Sequence, residues 1–107
     1  MIYEMRHYLI KYGEADDYLN LFREHIVPHL EECGFRLVGA WMTTVGADAG
    51  RSDIRYLLQW DGLGHREEAN NKIREQPWYP DFAKRGAPHI RYADNRIMEP
   101  LDWSPLQ

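Results

Sequence analysis

The feature that most restricts the fold of this chain is the order in which strand-like and helix-like hydrophobic patterns follow one another. Residues 2–10 are rich in β-forming side chains and predict a strand whose side chains alternate between two faces. Residues 14–32 carry apolar side chains three and four positions apart, which predicts an amphipathic helix that is kinked or broken at Pro28 and ends at Gly34. The remaining predicted elements are strands at 35–45, 53–61 and 90–98, a polar turn at 46–52, and helices at 62–75 and 77–85.

This order predicts an α+β domain of the ferredoxin-like type, β-α-β-β-α-β, with an antiparallel sheet and its helices on one face. Such an arrangement leaves the other sheet face uncovered, and an uncovered face with several aromatic side chains is normally a binding site or a subunit interface. We therefore expect a homodimer that packs two sheets face to face and that could assemble further. The pattern leaves open which face of the first strand meets the helices, because both faces mix apolar and polar residues. The two faces are Ile2, Glu4, Arg6 and Tyr8, and Tyr3, Met5, His7 and Leu9.

Local sequence adds two details to this arrangement. In the second strand, simple alternation puts Leu37 and Trp41 on the same face. Pro77 suits the first turn of the short helix at 77–85, which would present Trp78 and Phe82.

Length and charge restrict the class of protein further. A chain of 107 residues has room for one domain, expected over 1–107 with 100–107 as a surface tail. The formal net charge of -4 gives no broad basic field, so nucleic acid is not an expected partner. The single cysteine, Cys33, cannot form an internal disulfide, and no apolar run approaches the roughly 20 residues that span a bilayer. We expect a cytoplasmic protein without a membrane partner.

Six short motifs, in order along nearly the whole chain, resemble the NIPSNAP family. They are Ile2-Tyr3-Glu4-Met5-Arg6 with Tyr8 and Gly13, Gly34-Phe35, Gly39 with Trp41 and Gly46, Tyr56 with Trp60, Asp61, Leu63 and Arg66, Pro77-Trp78, and Trp103-Ser104-Pro105-Leu106. The resemblance implies a dimeric α/β barrel with a cavity in each half. It does not imply one reaction, because the wider superfamily includes cofactor-free monooxygenases, haem-degrading enzymes, polyketide cyclases and lactone isomerases.

The best candidate site in the sequence is the set Glu4, Arg6 and Tyr8, because period-two spacing puts all three on one sheet face. The carboxylate and guanidinium could hold an acidic substrate group or orient a phenol, and Tyr8 could exchange a proton in general acid–base chemistry. The alternative is a structural ion pair between Glu4 and Arg6 that fixes the sheet register or the dimer interface. His89, just before the last strand, could reach the mouth of a cavity as a third polar group, or else is a solvated loop histidine.

Aromatic side chains are a second set of binding candidates, because rings suit a planar apolar ligand. The members, each with core or dimer packing as the alternative, are Trp41, Tyr56, Trp60, Trp78, Tyr79, Phe82 and Tyr92. His25 and His29 are one helical turn apart, but Pro28 separates them and no third ligand is visible, so no metal site is expected. Cys33 lies at a helix C-terminus, where the helix dipole is expected to raise its pKa.

Three functions remain open at this point. The first is a NIPSNAP-like protein that binds a small apolar or aromatic molecule in the barrel without a cofactor. The second is a cofactor-independent enzyme, of monooxygenase, cyclase or isomerase type, acting on an aromatic or polyketide-like substrate. The third is a purely structural or interaction protein whose barrel is solidly packed.

Overall fold

The strands are β1 (Ile2–Ile10), β2 (Arg36–Met42), β3 (Asp53–Trp60) and β4 (Ile90–Met98). They form one antiparallel sheet in the order β2-β3-β1-β4. The structure is a computed structural model that describes residues 1–50 and 52–107. Arg51, which falls in the predicted turn at 46–52, lies outside the described residues. The strand order is that of a ferredoxin-like domain and confirms the predicted fold class.

Three helices pack on one face of this sheet: α1 (Ala15–His25), α2 (Leu63–Arg74) and α3 (Tyr79–Gly86). Two short 3-10 turns, Val27–His29 and Ala87–His89, follow α1 and α3. The core between helices and sheet is built from residues that recur at helical spacing and from one face of β3. Its buried members are Leu21, Ile26, Leu30, Cys33, Phe35, Tyr56, Leu58, Trp60, Ala69, Ile73 and Phe82.

Prolines set where two of these helices begin and end. The α-helix α1 ends at His25, because a helical Pro28 would have no N–H for the carbonyl of Glu24 and its ring would clash with that carbonyl. The predicted break is therefore confirmed, and the chain continues as a 3-10 turn. At α3 the prediction for Pro77 was wrong: Pro77 precedes the helix, and Pro80 is the proline in its first turn.

A bulge in β2 changes which side chains share a face. Leu37 pairs with Leu58, whereas Gly39 pairs with Leu57, so the register shifts by one residue at Val38. Leu37 therefore lies on the helix side of the sheet and Trp41 on the opposite side, and the expectation from simple alternation was wrong. A Cβ atom at Gly39 would lie 2.6 Å from the ring of Trp41, so a larger residue at this position would require that exposed ring to move.

The two faces of β1 have different surroundings. Glu4, Tyr8 and the other even-numbered residues face the helices, while Tyr3, His7 and the other odd-numbered residues lie on the side we call the open face. Part of the open face is covered by the tail after β4, where the Tyr3 hydroxyl donates to the Gln107 carbonyl at 3.0 Å. The sheet thus places the predicted Glu4–Arg6–Tyr8 set beneath the helices.

Candidate functional site

A small pocket lies between the helices and the central strands of the sheet. Its volume is about 90 Å³, and we call it the inner pocket. Its lining residues come from all three helices and from β1 and β3, and most of them are aromatic or aliphatic. They are Arg6, Tyr8, Tyr18, Phe22, Ile26, Leu30, Phe35, Tyr56, Asn70, Ile73, Arg74, Tyr79 and Phe82.

The polar end of the inner pocket is organised by Glu4, whose side chain is fully buried. Arg66 donates to both carboxylate oxygens, from Nε at 3.0 Å and from Nη2 at 2.9 Å. Asn95 Nδ2 at 2.7 Å, Trp60 Nε1 at 3.1 Å and Arg6 Nη2 at 3.2 Å complete the set of donors. A buried carboxylate needs such a set, because an ionised group without partners is costly to remove from water.

The donors around Glu4 keep it ionised. Burial alone would raise the pKa of Glu4, but hydrogen bonds from Arg66 and Asn95 and the positive charge of Arg6 lower it from 4.5 to about 2. Glu4 is therefore an anion at neutral pH that fixes the guanidinium groups of Arg6 and Arg66. This geometry matches the structural alternative for the Glu4–Arg6 pair and, at the same time, sets the position of Arg6 in the pocket.

Arg6 and two tyrosines converge inside the pocket. The Arg6 guanidinium lies over the rings of Phe35 and Tyr56, with centroid distances of 5.7 Å and 6.0 Å, and its Nη2 donates to Asn70 Oδ1 at 2.9 Å. The rings of Tyr8 and Tyr56 stack at 5.8 Å, and Tyr56 donates its hydroxyl hydrogen to the Tyr8 oxygen at 3.4 Å. A cation and two phenols thus meet at one end of an otherwise apolar space.

Burial keeps two phenols of the pocket, Tyr56 and Tyr18, protonated at neutral pH. Burial raises the pKa of Tyr56 well above its ordinary value, and the neighbouring Tyr8 adds to this effect. Burial also raises the pKa of Tyr18, with further contributions from Tyr8 and Tyr79. Burial would lower the pKa of Arg6, but Tyr56 and Glu4 raise it, so the guanidinium stays charged. The site can donate hydrogen bonds to an oxygen atom of a ligand and can stabilise negative charge on it.

A second, wider pocket opens beside the inner pocket between α2 and β4. Its volume is about 290 Å³, and we call it the mouth. The residues common to both pockets are Arg6, Tyr8, Asn70, Arg74 and Tyr79. The mouth adds Arg66 and three residues of β4, Ala93 to Asn95. The two pockets therefore lie side by side and share these five residues as a common wall.

Several residues predicted for the site, namely Trp41, Trp60, Trp78 and His89, do not line the inner pocket. Trp41 is 56% exposed on the open face, and Trp60 is fully buried beneath the helices, where its indole N–H binds Glu4. Trp78 stacks on His29 at 4.9 Å next to α3, whereas Phe82 does line the inner pocket. The Nδ1–H of His89 donates to Glu14 Oε1 at 2.8 Å, and His89 lines a separate pocket of about 450 Å³.

The pair His25 and His29 and the thiol of Cys33 line neither the inner pocket nor the mouth. His25 and His29 both stack on Trp78, with centroid distances of 6.1 Å and 4.9 Å. Among the residues the structure describes, no group of three His, Cys, Asp or Glu side chains could hold a metal ion. The pKa of Cys33 is raised as predicted, but burial of the thiol is the main cause and Glu32 adds to it.

Several site residues were not found from sequence, chiefly Arg66, Asn70, Asn95, Tyr18 and Phe22. They reach the site through contacts between distant parts of the chain: Arg66 lies 62 positions from Glu4 and Asn95 lies 91 positions from it. One signal for Arg66 does exist. A cation near the beginning of a helix is disfavoured by the helix dipole, and Arg66 is the fourth residue of α2, so a specific anionic partner was to be expected.

The strand order and the helices on one face of the sheet define a ferredoxin-like domain. The NIPSNAP family model matches residues 3–105, and the chain belongs to the NIPSNAP family. A search of the curated proteins gives no match.

Solved structures agree with this assignment. A NIPSNAP family protein from Agrobacterium tumefaciens is 30% identical with a TM-score of 0.89, covering 99% of this chain and 98% of that one. A second one from the same organism, described as having unknown function, is 26% identical with a TM-score of 0.87, covering 100% and 94%. A putative antibiotic biosynthesis monooxygenase from Nitrosomonas europaea shares the fold alone, at 14% identity and a TM-score of 0.67, covering 94% and 99%.

None of the helices in the described part of the chain is long and apolar enough to cross a membrane.

Proposed function

We propose that this protein binds a small aromatic molecule in the inner pocket, with the ring among the aromatic side chains and a polar substituent toward Arg6. The observation that carries the proposal is the meeting of Arg6, Tyr8 and Tyr56 at one end of an apolar pocket. A few polar groups aimed into an apolar space are the usual composition of a small-molecule site. The presence of this pocket argues against the alternative of a purely structural protein with a solidly packed interior.

The size of the pocket supports a ligand of one ring. A volume of about 90 Å³ is well below the roughly 300 Å³ at which pockets for drug-sized ligands begin. The adjoining mouth, about 290 Å³, has room for substituents. A larger, polyketide-like ligand would require Tyr79 or Phe82, both on α3, to move aside.

Filling the pocket tests this proposal. Phe22→Trp places a larger ring in the inner pocket and should abolish binding of a single-ring probe such as phenol, measured by calorimetry, while thermal unfolding confirms that the domain is folded. Phe22→Leu, the matched variant that opens the pocket, should retain binding. Phenol binding that survives Phe22→Trp with an unchanged dissociation constant would show that the ligand site lies elsewhere.

A cofactor-independent enzyme of monooxygenase, cyclase or isomerase type is the second candidate, with an aromatic or polyketide-like substrate. It is favoured by the two phenols and the guanidinium, which could stabilise an enolate or phenolate while a proton is transferred. Tyr8→Phe removes one hydroxyl and leaves the stacking, so an enzyme should lose turnover while ligand affinity changes little. Turnover that is unaffected by Tyr8→Phe would remove Tyr8 from any catalytic role.

We also propose that the open face is the contact between two copies of the chain. Exposed apolar side chains lie on or beside this face: Trp41, Tyr92, Met98, Leu101 and Trp103. Four strands about 4.8 Å apart and about 30 Å long cover roughly 600 Å² before the tail is counted, close to the roughly 800 Å² that each partner buries in a stable complex. Sedimentation equilibrium should give twice the chain mass of 12.7 kDa. A monomer at micromolar concentration would contradict this proposal.

A further inference from the structure

The helix side of the sheet carries more positive than negative charge around the mouth of the pocket. Arg6, Arg66 and Arg74 line the mouth, and Glu4 is the carboxylate that pairs with two of them. Asp94 also borders the mouth, but its carboxylate lies on the open face, where it accepts from Tyr92 and lies 3.7 Å from His7. This concentration of positive charge contrasts with the formal net charge of -4 on the whole chain.

Among the described residues, Arg74 is the guanidinium of the mouth that pairs with no carboxylate. Arg66 is held by both oxygens of Glu4, and Arg6 is held by Glu4 and Asn70. Arg74, in the last turn of α2, lines both the inner pocket and the mouth. Within the part of the chain that the structure describes, the side chain of Arg74 makes one hydrogen bond, from Nη2 to the exposed amide oxygen of Asn71 at 2.7 Å. An arginine tied only to a neutral surface amide retains donors for an incoming anion.

We propose that the ligand is an aromatic carboxylate whose ring enters the inner pocket and whose carboxylate binds Arg74 at the mouth. A planar guanidinium matches a carboxylate through two parallel hydrogen bonds. Because Arg74 lines both pockets, its position suits a molecule in which the ring and the carboxylate are directly joined. This inference rests on the proposed function and adds the chemical class of the ligand and the residue that selects it.

A pair of probes with the same shape separates charge from ring binding. Benzoate and benzamide differ in charge and match closely in size, and their dissociation constants are measured by calorimetry on the full chain. Benzoate should bind about tenfold more tightly, as expected for a charge-assisted hydrogen-bonded pair. In Arg74→Gln this preference should fall below about threefold while benzamide affinity stays within about twofold, because a neutral ligand loses no charge-assisted bond.

The matched control is Arg85→Gln. Arg85 lies on α3, pairs with Asp81 at 3.5 Å and borders neither the inner pocket nor the mouth, so its loss should leave the preference for benzoate unchanged. Thermal unfolding of both variants establishes that they are folded. Arg66 is not substituted, because its removal would leave the buried Glu4 short of its main partner.

The outcomes separate this inference from the proposed function. Benzamide binding that equals or exceeds benzoate binding, or a benzoate preference that persists in Arg74→Gln, overturns the aromatic carboxylate and leaves a pocket for neutral rings. Absence of binding by either probe overturns both proposals for single-ring ligands. A preference that disappears in Arg74→Gln and persists in Arg85→Gln establishes the inference.

Discussion

The central strand β1 carries a charged cluster on each of its two faces, and the two clusters are built differently. The helix-side cluster, Glu4 with Arg6, Arg66 and Asn95, surrounds a carboxylate that is fully buried. The open-face cluster is His7, Asp53, Arg55 and Asp94. In it, His7 Nε2 lies 3.2 Å from Asp53 Oδ1, and the side chain of Arg55 is 47% exposed.

The difference between the two clusters bears on the proposed contact between copies at the open face. The helix-side cluster is completed within one chain, because α2 and β4 supply the donors that a buried carboxylate requires. In the open-face cluster Asp53 is almost fully buried against His7 and Arg55, whereas Arg55 and Asp94 stay partly in water. Such a face can be covered by a second copy without leaving a lone charge buried, and meanwhile the surrounding apolar side chains remain exposed.

The largest effect is expected from removing the centre of the helix-side cluster. Glu4→Ala leaves buried donors of Arg66, Asn95 and Trp60 without an acceptor, and should lower the free energy of unfolding by about 3–5 kcal/mol. The open-face counterpart, Asp94→Ala, should lower it by less than about 1 kcal/mol because the pair is partly exposed. Urea unfolding measures both variants. Equal losses would mean that the two clusters contribute alike and that the comparison is wrong.

In the wild-type protein, acid should lower the free energy of unfolding by protonating Glu4 in the helix-side cluster. The pKa of Glu4 is lowered in the folded chain, so its stabilisation is present above the ordinary pKa of 4.5 and is lost as the pH falls toward 2. The difference between a pKa of 4.5 in the unfolded chain and about 2 in the folded chain corresponds to roughly 3 kcal/mol in the free energy of unfolding.

Glu4→Gln provides the control for the acid experiment. This variant should flatten the pH dependence of unfolding between pH 5 and pH 3, measured by thermal scans at each pH. The pKa of Asp53 is also lowered, since hydrogen bonding from Arg55 and the charge of His7 outweigh the effect of burial, so Asp53→Asn should remove a further part of the slope. A slope identical in wild type and Glu4→Gln would refute the assigned role of Glu4.

The smallest effect on folding, but a clear one on assembly, is expected on the open face. Trp41→Glu puts a charge into the proposed contact between copies and should weaken association at least about tenfold, with folding and pocket binding unchanged. Tyr12→Glu is the matched control, because Tyr12 is 95% exposed in the turn after β1 and lies off the open face. Sedimentation velocity distinguishes them. Equal behaviour of the two variants would place the contact on another surface.

The fold itself was predictable because its signals are local. Alternation defined β1 and β4 at their observed bounds, 2–10 and 90–98, and Pro28 marked the end of α1. The bulge at Val38 was not predictable, because the register of β2 depends on its pairing with β3 and not on its own alternation. Of the candidate site, the sequence indicated Glu4, Arg6 and Tyr8 on one strand and the aromatic residues Tyr56, Tyr79 and Phe82.

The sequence by itself determined that β1 has one face with a carboxylate, a guanidinium and a phenol, since period-two alternation follows from backbone geometry. Only the tertiary structure decided that this face lies beneath the helices, and that Arg66, Asn70 and Asn95 complete it. Those residues are brought together by strand order and helix packing, which depend on the sum of many weak contacts along the whole chain. The sequence of one strand was therefore enough to group Glu4, Arg6 and Tyr8, whereas the pocket around them could be identified only from the folded structure.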